Sequence, residues 1–196
     1  VRKALGDETS DADQMLAMRS ISATSLEVGQ SYAAALEAQS ASKYEEARQK
    51  YLKTLELDST FGLGYQGVAV MSRNLGRQQD AEKYINEALK YLDGMTEREK
   101  LSTRAFYYRM TGDYQQCVNE YGQLTARYAA DVIAHNNRAL CSTKLRQMKE
   151  AVEEIRQVVQ ILPKRLVFRA NLAVYSDYAG DFQTAEQEVQ ALQEPN

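Results

Sequence analysis

Tryptophan is absent from the 196-residue sequence, histidine occurs once, and cysteine and proline occur twice each. One histidine cannot make a histidine-rich metal set. Two cysteines, Cys117 and Cys141, make neither a disulfide framework nor a four-ligand zinc site. No apolar run approaches the ~20 residues that span a bilayer, so no membrane insertion is expected. No charged-then-apolar leader opens the chain, and its start at Val1 reads as a piece of a longer protein. A net charge of −3 lacks the basic excess of a nucleic-acid surface. What remains is 44% apolar and 26% charged, rich in Ala and Gln. That is the composition of a soluble helical protein with enough chain for a sizeable core.

The positive signal is an internal repeat. Aligning Tyr44-Glu45-Glu46-Ala47, Gln78-Gln79-Asp80-Ala81, Tyr114-Gln115-Gln116-Cys117, Met148-Lys149-Glu150-Ala151 and Phe182-Gln183-Thr184-Ala185 spaces the last residues 34, 36, 34 and 34 apart. Twelve positions earlier stand Ala35, Ala69, Ala105, Ala139 and Ala173, and four positions later Tyr51, Ile85, Tyr121, Ile155 and Val189. Between the two small columns lies a turn column holding Gly76, Gly112 and Gly180, with Ser42 and Arg146 in the other two units. These columns predict two antiparallel helices per unit, packed small against small, with the bulky residue filling the space beside them. One such pair cannot bury its own apolar stripe, so units must stack.

Helix starts follow the register. Thr24-Ser25-Leu26-Glu27, Ser42-Lys43-Tyr44-Glu45 and Thr96-Glu97-Arg98-Glu99 each read as a capping box, and Pro163 follows a helix end. The two extra residues of the 36 spacing fall near Asp93-Gly94-Met95. The expected organisation is a tail and lead-in helix over residues 1–27, the helix near 11–23, then units over 28–61, 62–95, 98–131, 132–165 and 166–196.

These columns resemble the tetratricopeptide repeat, a 34-residue helix-turn-helix. The small eighth and twentieth places recur in all five units, while the aromatic fourth place survives only as Tyr65 and the late proline only as Pro163. The resemblance implies an all-α, right-handed solenoid of about five repeats. A second likeness rests on Leu5-Gly6, Thr24 to Glu27, the run Leu57 to Tyr65, and Met95 to Glu99. It is similar to bacterial multidomain signalling proteins in which a serine/threonine kinase or DNA-binding domain precedes such an array.

Candidate chemistry fails on spacing. Gly62-Leu63-Gly64-Tyr65-Gln66-Gly67, with Glu87 beyond, matches a dinucleotide-binding pattern, but it follows a predicted helix instead of the required strand. His135 and Cys141 are six residues apart on one predicted helix, ~600° of turn, and so point away from each other. His135 reads as a packed imidazole and the two cysteines as buried free thiols. The alternative, a bridge between them, suits an extracytoplasmic location. No catalytic constellation, metal set or cofactor is expected.

Function is therefore expected on the concave face, lined by the first helix of each unit. There the register places Tyr32, Leu36 and Gln39; Leu63, Gln66, Val70, Arg73 and Asn74; Ser102, Thr103, Phe106, Arg109 and Met110. Further along it places Ile133, Asn136, Asn137, Leu140 and Lys144, then Val167, Asn171, Val174, Asp177 and Tyr178. Of these, Tyr32, Arg73, Asn74, Phe106, Arg109, Asn136, Asn137, Lys144, Asn171 and Tyr178 form the expected peptide-binding groove. The resemblance gives Asn137 and Asn171 the place where family members hold a peptide backbone with an amide, which offers both donors and an acceptor. Arg73, Arg109 and Lys144 favour an acidic ligand. A chaperone-tail clamp is not expected, since Ile133 and Val167 stand where it needs lysine.

The expected partner is a protein or peptide segment, with no nucleic acid. The alternatives are a regulatory or oligomerising arm of a signalling enzyme, a small-molecule sensor, or a concave face that is merely solvated. Residues 132–165 carry a net +4 and residues 166–196 a net −4, which offers steering or weak stabilisation of the stack. Val189 and Leu192 in the last helix have no following cap, so the C-terminal end is a candidate for self-association.

Overall fold

The computed structural model describes residues 21–193. Ten α-helices run through them, with no strand among the described residues. They are α1 (Leu26–Ser40), α2 (Tyr44–Leu57), α3 (Gly62–Asn74), α4 (Gln78–Lys90), α5 (Glu97–Thr111), α6 (Tyr114–Arg127), α7 (Val132–Lys144), α8 (Met148–Ile161), α9 (Leu166–Ala179) and α10 (Phe182–Gln193). A short 3-10 turn, Leu92–Gly94, absorbs the longer spacing. Most of the lead-in helix expected near 11–23 lies outside the described residues, and residues 21–23 are not helical.

The helices form five helix-turn-helix pairs. Ala35 and Ala47, Ala69 and Ala81, Ala105 and Cys117, and Ala139 and Ala151 are all fully buried. The bulky column beside them is equally closed at Tyr51, Ile85, Tyr121 and Ile155. The described residues form two compact units that divide between Thr103 and Arg104, inside α5. The core of the first gathers Ala35, Ala47, Tyr51, Val68 and Met71. The second is built on Ala139, Ala151, Val152, Ile155, Val158 and Leu172.

The glycine-rich run of α3 has a packing explanation. A Cβ on Gly67 would stand 2.5 Å from the Tyr51 ring, and one on Gly64 would stand 2.7 Å from Leu55. These glycines let α3 lie close against α2. They open a helix and cradle no phosphate.

All five residues of the turn column have positive φ: Ser42 59°, Gly76 75°, Gly112 82°, Arg146 59° and Gly180 80°. Glycine takes this conformation without a Cβ clash, whereas Ser42 and Arg146 are strained. Ser42 therefore does not cap α2 as its sequence suggests. Lys43 is the N-cap residue and gives no side-chain capping hydrogen bond. At α1 the cap is Ser25, whose Oγ accepts from the Val28 amide at 3.2 Å. The Thr96 box forms as expected, with the Thr96 amide donating to Glu99 Oε2 at 2.8 Å.

The cysteines correct the sequence expectation. Cys117 of α6 and Cys141 of α7 are joined as a disulfide, their Cα atoms 6.2 Å apart. The packing that leaves room only for a small residue at position 117 also brings α7 within bridging range.

A further column was not recognised in the sequence. Glu120, Glu154 and Glu188, each 34 apart, tie their helix to the first helix of the same pair. Arg104 meets Glu120 at 3.0 Å, Arg138 meets Glu154 at 2.6 Å, and Arg169 meets Glu188 at 2.7 Å. His135 is buried as expected, its Nδ1 2.6 Å from Glu154 and its Nε2 3.0 Å from the Ala129 carbonyl.

Two outcomes follow from strain and cross-linking. Arg146→Gly is expected to stabilise the chain by about 1 kcal/mol by removing the left-handed penalty, read in equilibrium denaturation. Opening the disulfide, which spans 24 residues, is expected to cost about 3 kcal/mol. The reduced chain should then melt below the oxidised one in paired thermal scans.

Candidate interaction site

The face of each first helix is a stripe at 4, 3 and 4 residue steps, which stacks side chains on one side of a helix. On α7 it reads Ile133, Asn137, Leu140 and Lys144. On α9 it reads Val167, Asn171, Val174 and Tyr178. Ile133 is 63% exposed, Val167 60%, Val174 50% and Tyr178 71%. Large apolar groups therefore stand in register on an open face. The register places these aliphatic residues on the face, although Ile133, Val167 and Val174 are not among the expected groove residues. Their signal was available, since position 2 is β-branched in both units.

Two equivalent amides behave differently. Asn137 Oδ1 accepts from Arg109 Nη1 at 2.9 Å, and its Nδ2 donates to the Tyr121 hydroxyl at 3.2 Å. One repeat later, Ile155 stands where Tyr121 was and Thr143 where Arg109 was. Asn171 therefore has no counterpart to either bond. It is half-buried between Val167 and Val174 on the α9 stripe, and its amide has no hydrogen-bond partner among the described residues. Arg109 also lies over the Phe106 ring, 4.9 Å from its centroid. Neighbouring Asn136 holds its Oδ1 buried, with no hydrogen-bond partner among the described residues. Lys144 is exposed at the end of α7.

Tyr32 and Phe106 do not stand on an open face, contrary to the register. Tyr32 packs 5.6 Å from the Tyr51 ring and 5.3 Å from the Phe61 ring. Burial, reinforced by the Glu99 carboxylate, pushes its phenol above the ordinary tyrosine range. Phe106 is buried. A flexible chain turns so large a ring inward wherever the neighbouring helix leaves space.

In the first unit other amides are also consumed internally. Gln66 Nε2 donates to Ser102 Oγ and its Oε1 accepts from Thr103 Oγ1, both at 3.1 Å. Gln39 Oε1 accepts from the Tyr51 hydroxyl at 2.7 Å. Arg73, half-buried, and Asn74, exposed, sit together at the end of α3. The structure thus separates the expected set. Asn171 and Tyr178 share the α9 stripe, Asn136, Asn137 and Lys144 lie on α7, and Arg73 and Asn74 belong to the first unit.

The two Asn side chains give a direct comparison. Asn137→Ala should cost roughly 1–3 kcal/mol, because Arg109 and Tyr121 each lose a bond in a part-buried setting. Asn171→Ala should stay within about 0.5 kcal/mol. Urea denaturation of the two variants, side by side, measures the difference.

No family model matches the sequence, and no curated protein matches it. Solved structures do. The chain superposes on YrrB, described as a TPR protein with an unusual peptide-binding site, with a TM-score of 0.51 at 18% identity, covering 81% of this chain and 82% of that one. On the TPR-like repeats of a Podospora anserina putative kinesin light chain the score is 0.56 at 18% identity, covering 84% and 92%. On human IFIT1, solved as a dimer with m7Gppp-AAAA, it is 0.71 at 18% identity, covering 84% of this chain and 42% of that one. The columns, the helix pairs and these superpositions agree: the chain has the all-α tetratricopeptide-repeat fold, in five helix-turn-helix repeats.

Proposed function

We propose that the chain is a non-catalytic interaction scaffold that holds an extended segment of a partner protein along α7 and α9. Asn171 carries this reading. Its amide offers a donor and an acceptor to a peptide unit and is flanked by exposed Val167 and Val174, with Tyr178 a turn beyond. The apolar groups supply affinity without demanding one sequence, and the amide fixes the main chain. YrrB, with the same fold, is described as having a peptide-binding site.

Lys144 favours an acid in the ligand near the end of α7. Arg109, expected to act alongside it, is committed to Asn137. An oligonucleotide, as in the IFIT1 structure, suits this face less, because Lys144 is the stripe's one cation. No described helix is long and apolar enough to cross a membrane, and no described group of His, Cys, Asp and Glu could hold a metal ion.

The test is capture from source-cell lysate by the unaltered chain and by a Val174→Asp, Asn171→Ala double variant. Both substituted groups are open or half-open, so the melting temperature should hold. A protein segment retained by the first and weakened about tenfold or more on the second supports the groove. Equal capture by both removes it. Thermal stabilisation by a metabolite alone, abolished by the same double variant, would instead assign the face to a small-molecule sensor.

A further inference from the structure

The turn between α8 and α9 carries chemistry that the peptide groove does not use. Its counterpart one repeat earlier joins α6 to α7, and the two turns are built alike. Each is held by the fourth residue of the helix that follows. His135 Nε2 reaches the Ala129 carbonyl at 3.0 Å, and Arg169 Nε donates to the Pro163 carbonyl at 2.8 Å. Their tips differ in charge. The earlier turn reads Ala129-Ala130-Asp131, and Asp131 caps α7 by accepting from the Ala134 amide at 3.0 Å. The later one reads Pro163-Lys164-Arg165, and Arg165 at the same cap position makes no side-chain cap bond. Helix α9 thus lacks a capping carboxylate and has a cation at the positive end of its dipole. Sequences break local rules in this way where function demands it.

Residues 163–167 are five consecutive exposed positions. Ile161, 40% exposed, stands before the two cations, and Leu166 and Val167, 45% and 60% exposed, stand after them. No aspartate or glutamate occurs between Glu154 and Asp177, whereas four cations do. Of these, Arg156 is tied to Glu153 and Asp181, and Arg169 to Glu188. Lys164 and Arg165 are exposed, with no ion-pair partner among the described residues. We propose that this turn is a peripheral docking point for an anionic lipid surface. Lys164 and Arg165 meet the phosphate headgroups, and Ile161, Leu166 and Val167 reach the boundary with the acyl chains. Aliphatic groups beside unpaired cations match the two layers of such a surface, charge outside and hydrocarbon beneath. A tight turn flanked by exposed residues has no walls to enclose a peptide, so its counterpart is a plane. The chain lies on this surface and does not span it. Although Val167 also opens the α9 stripe, the inference does not rest on the peptide groove.

The test is flotation of the full chain with vesicles of phosphatidylcholine alone and of phosphatidylcholine mixed with phosphatidylserine. The chain is expected to bind the anionic vesicles at least about tenfold more tightly, and raised salt should narrow the gap. Arg165→Asp with Lys164→Glu should reduce binding to the level of the neutral vesicles. The same pair should raise the melting temperature by about 2–4 °C, because Arg165→Asp restores the α9 cap. Loss of binding in a more stable chain cannot come from misfolding. Ile161→Ser with Leu166→Ser keeps the charge and should weaken binding about fivefold or more. Lys53→Glu with Lys149→Glu, both exposed and outside the turn, shifts the net charge equally and should leave binding unchanged. Equal binding to both vesicles, or binding that survives Arg165→Asp with Lys164→Glu, overturns the proposal. So does indifference to Ile161→Ser with Leu166→Ser, or loss of binding in Lys53→Glu with Lys149→Glu, since any basic surface then serves. A glutamate-rich peptide that binds the turn when the anionic vesicles do not also overturns it, because the occupant is then an acidic protein segment.

Discussion

The structure depends on how closely two helices can approach at one point in each pair. Alanine against alanine, or alanine against cysteine, puts almost no side chain between two backbones, and four of these contacts are sealed from solvent. That closeness sets the packing distance of the pair, and the bulky residue four positions on fits only the space it leaves. Larger groups in the small column would force the helices apart and unseat Tyr51, Ile85, Tyr121 or Ile155 together. The disulfide is a by-product of the same geometry. Cys117 occupies a slot built for alanine, and its sulfur falls within reach of Cys141 because α6 and α7 are already in tight contact.

Features that recur at the repeat period were legible in the sequence, because each is imposed on every unit by the same packing. The turn column is the clearest case. Gly76, Gly112 and Gly180 announced a left-handed residue, and Ser42 and Arg146 adopt the same conformation although neither favours it. There the repeat overrode local preference, which is also why Ser42 failed as a cap. The Glu120, Glu154 and Glu188 column was equally periodic and passed unnoticed, since a carboxylate at helical spacing reads as a solvated face until its arginine is located.

Illegible were properties set by a residue one repeat away. Asn137 and Asn171 are indistinguishable by register, yet one is bonded on both ends and the other, among the described residues, on neither. The difference lies in Tyr121 against Ile155 and Arg109 against Thr143, positions that no local pattern connects to the amide. Tyr32 and Phe106 failed for a related reason. Register states which way a Cα–Cβ bond leaves the helix, but a long ring bends from there into whatever space its neighbours leave. The disulfide belongs here too, because 24 residues of sequence separation say nothing of the distance between two helices until the pair is built.

Degeneracy of the repeat thus does chemical work. Where a unit supplies partners for its amide, as at Asn137, the side chain cross-links neighbouring helices and is lost to any ligand. Where substitution removes those partners, as at Asn171, the same side chain on the same scaffold becomes available. The bulky column also varies along the array, where Val189 of α10 is exposed although its counterparts Tyr51, Ile85, Tyr121 and Ile155 are buried.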